Sequence, residues 1–97
     1  MELEEALSSV KDQPTFLAFV KVLITDREVA SQLERKKPEF LNLVDANGWY
    51  NSTIEGFLEA AVACVEFGGN QEMKAALSQE NPWRYFAEFL YSGKIYE

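Results

Sequence analysis

Between Ser52 and Gly69 the chain carries the pattern that most narrows its fold. Ile54, Phe57, Leu58, Ala61, Val62 and Val65 recur at three- and four-residue spacing, the period of a helix with one apolar stripe. Both ends agree. Ser52-Thr53-Ile54-Glu55 reads as a capping box, in which Ser52 accepts the amide three residues on and Glu55 reaches back. Gly68-Gly69 supplies the left-handed conformation in which helices end.

The remaining signals have the same period. Leu3, Ala6, Leu7 and Val10 predict a short amphipathic helix. Asp12 before Pro14 opens a second helix, with Phe16, Phe19, Val20, Leu23 and Ile24 on one face. Arg27 interrupts that face before Ala30 and Leu33, so a bend is expected near Thr25, where Thr25-Asp26-Arg27-Glu28 could cap a fresh start. Gln71 to Leu77 adds one or two turns. Asn81 caps a last helix with Pro82 at its first position, and Gly93 is expected to close it. From Pro38 to Asn51 no period holds. Phe40, Leu41, Leu43, Val44, Trp49 and Tyr50 there predict an apolar loop folded back over the helices, turning at Asn47-Gly48, with a short hairpin as the alternative. The expected fold is all-α: a compact bundle of four to five short helices with an ordered apolar loop at about 38–51, forming one domain over 1–97.

A hydrophobic fraction of 47% is enough to offset the entropy of ordering a single core of this size. The apolar runs Phe16 to Val20 and Ala60 to Val65 are far short of the roughly twenty residues a membrane span needs. The acidic start, MELEEALSS, lacks the basic and apolar segments of a secretory signal. One cysteine, Cys64, cannot form an internal disulfide. A cytoplasmic protein without a membrane anchor is expected.

The net charge of −7 disfavours nucleic acid, since phosphate contacts need clustered Lys and Arg, and the one cluster, Arg35-Lys36-Lys37, is flanked by Glu34 and Glu39. From Pro38 to Met73 there are six acids, Glu39, Asp45, Glu55, Glu59, Glu66 and Glu72, and no base. Such a segment attracts a basic protein partner, although acidic surfaces also serve solubility alone.

Catalytic equipment is sparse. The absence of histidine removes the usual general base, the Ser–His and Cys–His pairs and the commonest metal ligand. Cys64, in VACV, has no neighbouring base to lower its pKa and reads as a small core residue. No glycine motif cradles phosphate. Glu55, Glu59 and Glu66 share one helix face away from the apolar stripe, and a row of this kind could hold Mg²⁺ if a second helix supplied acids. The paired Glu-Glu with a third Glu one turn later that marks the all-α nucleotide pyrophosphohydrolases has no counterpart, because Glu4-Glu5 is followed by Ala6, Leu7, Ser8 and Ser9. The row nonetheless carries local cost. Glu55 and Glu59 repel at one-turn spacing, and Glu66 opposes the helix dipole, with no base in the helix to compensate.

The segment NPWRYFAEFLYSGKIYE is the most aromatic. Trp83, Phe86, Ala87 and Leu90 fall on one helix face, while Tyr85, Phe89 and Tyr91 fall outside it. A helix apolar over more than half its girth is either central to its domain or covered by another chain.

The stretch Asn47-Gly48-Trp49-Tyr50-Asn51-Ser52-Thr53-Ile54-Glu55-Gly56-Phe57-Leu58-Glu59-Ala60-Ala61, with Pro82-Trp83-Arg84-Tyr85-Phe86-Ala87-Glu88 and Ile95-Tyr96-Glu97, resembles a family of small bacterial domains without an established activity. The resemblance implies a bacterial cytosolic protein. It directs attention to Trp49, Asn51, Thr53, Glu55, Trp83 and Tyr96, several of which helix capping and core filling also explain.

The sequence thus points to a non-catalytic protein-binding module, of the kind exemplified by immunity proteins and antitoxins, with no cofactor. Its candidate partner-binding residues are Glu55, Glu59 and Glu66, with Trp49, Tyr85 and Tyr91. A homodimer formed through the Tyr85/Phe89/Tyr91 side of the last helix is the alternative, and a carboxylate-based Mg²⁺ enzyme the third reading.

Overall fold

The computed structural model describes residues 2–36 and 48–96, and in the second helix the side chains through Leu33. Within these residues the chain forms five helices, α1 (Leu3–Ser8), α2 (Gln13–Lys36), α3 (Ile54–Glu66), α4 (Gln71–Ser78) and α5 (Pro82–Ile95), and no strand. The fold class is all-α, as the periodicity predicts. The expected apolar loop, the Asn47-Gly48 turn, the hairpin alternative and the basic run Arg35-Lys36-Lys37 rest on side chains or residues outside those described.

Helix α5 packs against each of the other four, with α1 and α2 on one side and α3 and α4 on the other. Its aromatic composition follows from that central position. The main core lies on the α1/α2 side, where Leu3, Ala6, Leu7, Val10, Phe19, Leu23, Ala30, Trp49 and Ala87 are buried, and Phe16, Val20, Phe57, Trp83, Leu90 and Tyr91 pack against them. On the α3/α4 side the buried residues are smaller: Ala60, Ala61, Cys64 and Ala76, with Met73 the exception.

Local chemistry sets the boundaries. Asp12 starts α2 by accepting the Thr15 amide at 3.0 Å and the Thr15 hydroxyl at 2.6 Å, while Thr15 Oγ1 accepts the Lys11 and Asp12 amides. These bonds hold the Asp12 carboxyl below its usual range. The cap on α3 falls one residue later than the sequence suggests: Thr53, not Ser52, accepts the Gly56 amide, at 3.0 Å. Asn70 and Asn81 cap α4 and α5 through the amides of Met73 and Arg84. At the end of α3, Gly68 (φ 107°) and Gly69 (φ 72°) turn the chain, and the Gly69 amide reaches back to the Cys64 carbonyl at 2.8 Å.

Two expectations are overturned. No fresh helix starts at Thr25: α2 is continuous there, and Asp26 turns its carboxylate to Trp49 and Lys94. Gly93 does not end α5, which continues to Ile95. A Cβ at Gly93 would lie 2.8 Å from the Phe57 carbonyl oxygen and 2.9 Å from its ring. The glycine is where α5 and α3 touch backbone to side chain.

Candidate functional site

The outward half of α3 is the most unusual surface of the molecule. Its buried side is formed by Ala60, Ala61 and Cys64, with Phe57 half-buried. Small side chains and Gly93 let α3 lie close to α5, its principal neighbour. The larger apolar residues are displaced around the helix: Ile54 is 78% exposed, Leu58 48%, Val62 46% and Val65 37%. At 100° per residue these four occupy an arc of about 80°. The reading of a single stripe, Ile54 through Val65, packed in the core therefore holds for Ala61 and in part for Phe57; the other four residues face out, because among the described helices only α5 packs broadly against α3.

Glu55, Glu59 and Glu66 are exposed and follow that arc directly around the helix. Among the described residues the ion pairs are Arg84–Glu88 and Lys94–Asp26, and no Lys or Arg pairs with the three acids. Arg84, on the neighbouring α5, is committed to Glu88 at 2.8 Å. The acidic row and the apolar arc together make one amphipathic surface that the fold leaves open.

The surface ends in a cleft at each side. At the C-terminal end of α3 a cleft of about 240 Å³ is lined by Val62, Val65, Glu66, Tyr85, Phe86 and Phe89. Phe86, expected on the inner face of α5, is 56% exposed here, and Tyr85 is half-buried in the wall. At the N-terminal end a second cleft, of about 340 Å³, opens between Arg27, Trp49, Ile54, Phe57 and Leu58.

Trp49 is the floor of this second cleft. It is only 3% exposed, and its indole N–H donates to Asp26 Oδ2 at 2.8 Å. The Lys94 ammonium reaches the same oxygen at 2.8 Å. Arg27 lies 5.2 Å and Lys94 5.6 Å from the indole centroid, within range of cation–π attraction, and Phe57 stacks on it at 6.0 Å. The backbone beside Trp49 is fixed as well: the Tyr50 amide donates to the Lys94 carbonyl, and Asn51 donates to the carbonyls of Gly93 and Tyr96. Trp49 and Asn51 thus join the segment before α3 to α2 and to the end of α5. The sequence offers no local signal for this, since each partner lies far away along the chain.

Tyr91, outside the predicted inner face of α5, packs against the main core and donates its hydroxyl to Glu4 at 3.4 Å. Burial, and next the Glu4 charge, raise its pKa. Glu88 is a buried carboxylate whose pKa is raised by desolvation, with Arg84 opposing the shift. Cys64 is buried. Among the described residues no three His, Cys, Asp or Glu side chains come together as metal ligands would, and the row on α3 has no second row facing it. No helix among them is long and apolar enough to cross a membrane.

The geometry defines the class first: a small all-α bundle built around its last helix, with an open amphipathic face on α3. Residues 12–97 match the model of a family of unknown function, DUF7660, and the chain belongs to that family. The match takes in α2 through α5, and so the whole α3 face and both clefts; α1 precedes it. No curated protein and no solved structure matches the chain.

Proposed function

We propose that this chain is a non-catalytic protein-binding module of the cytosol, acting in the manner of an immunity or antitoxin-like protein, and that its binding surface is the outer face of α3. The observation that carries the reading is the pairing of four exposed apolar side chains with three acids that no described cation neutralises. An apolar patch rimmed by like charges is costly to leave in water and suits a partner of opposite charge. The lack of histidine throughout the chain is consistent with a role that involves contact and no turnover. Of the residues singled out by sequence, Glu55, Glu59, Glu66 and Tyr85 belong to the contact surface; Trp49 floors its N-terminal cleft, and Tyr91 packs into the main core instead.

The homodimer reading uses the Tyr85/Phe89/Tyr91 side of α5, of which Tyr85 and Phe89 line the cleft at the C-terminal end of α3, and Phe86 adds to the same apolar surface. Bringing two copies together on this face would set two acidic rows and two net charges of −7 against each other. That repulsion favours a foreign, basic partner.

The test is capture from the native host by the tagged protein, with wild type and the E55K/E59K/E66K variant compared by mass spectrometry. The reading expects a partner with a basic contact surface that is retained by wild type and lost from the variant. Equal recovery by both rejects it. A concentration-dependent dimer in light scattering, lost on Phe86→Ala, would support the homodimer instead.

A further inference from the structure

Resting on that reading, we infer that the occupant of the α3 face is an amphipathic helix with Lys or Arg along one flank, lying along the outer face of α3 with its apolar side on Leu58 and Val62 and reaching the cleft that Val62 shares with Phe86. Three observations select this occupant over others. Ile54, Leu58, Val62 and Val65 are spaced by four, four and three residues along a helix of 13 residues, about 20 Å long. That is a ridge of the kind into whose flanking grooves another helix packs. The surface presents helix sides, with no strand among the described residues, so an extended peptide would find no backbone edge to pair with. The acids lie to one side of the apolar arc, at positions 55, 59 and 66, which asks for cations on one flank of the incoming helix at matching one-turn spacing.

Charge complementarity also decides between classes of occupant. Anionic lipid and nucleic acid are repelled by the acidic row. A second copy brings its own row of acids. A helix bearing cations gains from the row, while its apolar side covers residues that are otherwise in water.

The experiment is selection of a displayed library of random sixteen-residue peptides on the full chain, with counter-selection on a Leu58→Gln/Val62→Gln double variant. Both substitutions fall on exposed positions and suit a helix, and unchanged circular dichroism and melting of the variant show that the fold is kept. The inference expects enriched peptides with apolar residues at i, i+3 or i+4, and i+7, and Lys or Arg along one flank. It expects them to become helical on binding and to lose roughly tenfold in affinity on the E55K/E59K/E66K variant. Enrichment of acidic or extended peptides, or equal binding to the Leu58→Gln/Val62→Gln variant, overturns the helical occupant and leaves the broader binding reading to the capture experiment. A failure to enrich anything overturns the inference as well. A dimer of the wild-type chain that Val62→Gln dissolves would replace the foreign helix with a second copy.

Discussion

The two sides of α5 are built on opposite plans. Toward α1 and α2 the large side chains point inward: Phe19 is fully buried, with Leu7, Leu23 and Val10 around it and Phe16 and Trp83 in ring contact 5.4 Å apart. Toward α3 mainly small residues point inward, and the large ones point out. Exposed apolar residues also occur on α2, as two pairs, Leu17 with Ile24 and Val29 with Leu33, set apart around the helix by Lys21, Thr25 and Glu28. Broken into two pairs in that way they make smaller patches than the four on α3. On α3 they adjoin one another. One side of α5 is arranged to hold the domain together, and the other holds a helix in place while keeping its outer surface available.

The largest test of this contrast is Phe19→Ala. Removing a fully buried ring should cost about 3–5 kcal/mol in denaturant unfolding, enough to threaten a domain of this size. Next comes Gly93→Ala. In an exposed helix it would stabilise by about 1 kcal/mol, but here the methyl group meets the Phe57 carbonyl at 2.8 Å, and a net loss of about 1–3 kcal/mol is expected from overpacking. A gain in melting temperature would mean that α3 is not held against α5 as described.

A smaller effect concerns pH. The Glu88 carboxyl titrates above its ordinary value of 4.5 because its burial outweighs the Arg84 contact. For a group raised in the folded state, the stabilising contribution is complete below the unfolded value and is lost as pH rises through the folded one. Stability measured from pH 4.5 upward should therefore fall more steeply in wild type than in Glu88→Gln. Parallel curves would assign the slope to other groups. Smallest of all, Leu58→Gln and Val62→Gln should each change stability by no more than about 0.5 kcal/mol. A cost above about 1.5 kcal/mol would show that the outer face of α3 is covered within the domain, and the comparison would collapse.

The features legible in the sequence were those decided within a few residues. Asp12 with Pro14, the Gly68-Gly69 stop and the Asn81-Pro82 start all appear where the local pattern puts them. The features that local pattern does not reveal depend on long-range contacts. Thr25-Asp26-Arg27-Glu28 has the form of a cap, yet Asp26 is occupied by Trp49, 23 positions away, and by Lys94. Gly93 has the form of a helix stop but serves a close crossing with Phe57. Spacing alone puts the acidic row on the exposed side, because three acids with no base in the helix are costly to bury together. The exposure of the apolar arc beside it is not legible, since periodicity cannot distinguish the inner from the outer edge of an apolar sector wider than its neighbour. The signal that separates them is size: the run Ala60, Ala61, Ala63, Cys64 marks the edge where another backbone comes close.

The position of α5 has a consequence for synthesis. The helix that every other one leans on is also the one that follows them in the chain. At roughly 5–20 residues per second, about 1.5 to 6 seconds separate the completion of α3 at Glu66 from that of α5 at Ile95. For that interval the nascent chain carries α3 with neither of its apolar edges covered. Ribosome-associated chaperones have their clearest point of engagement there, before the platform has emerged.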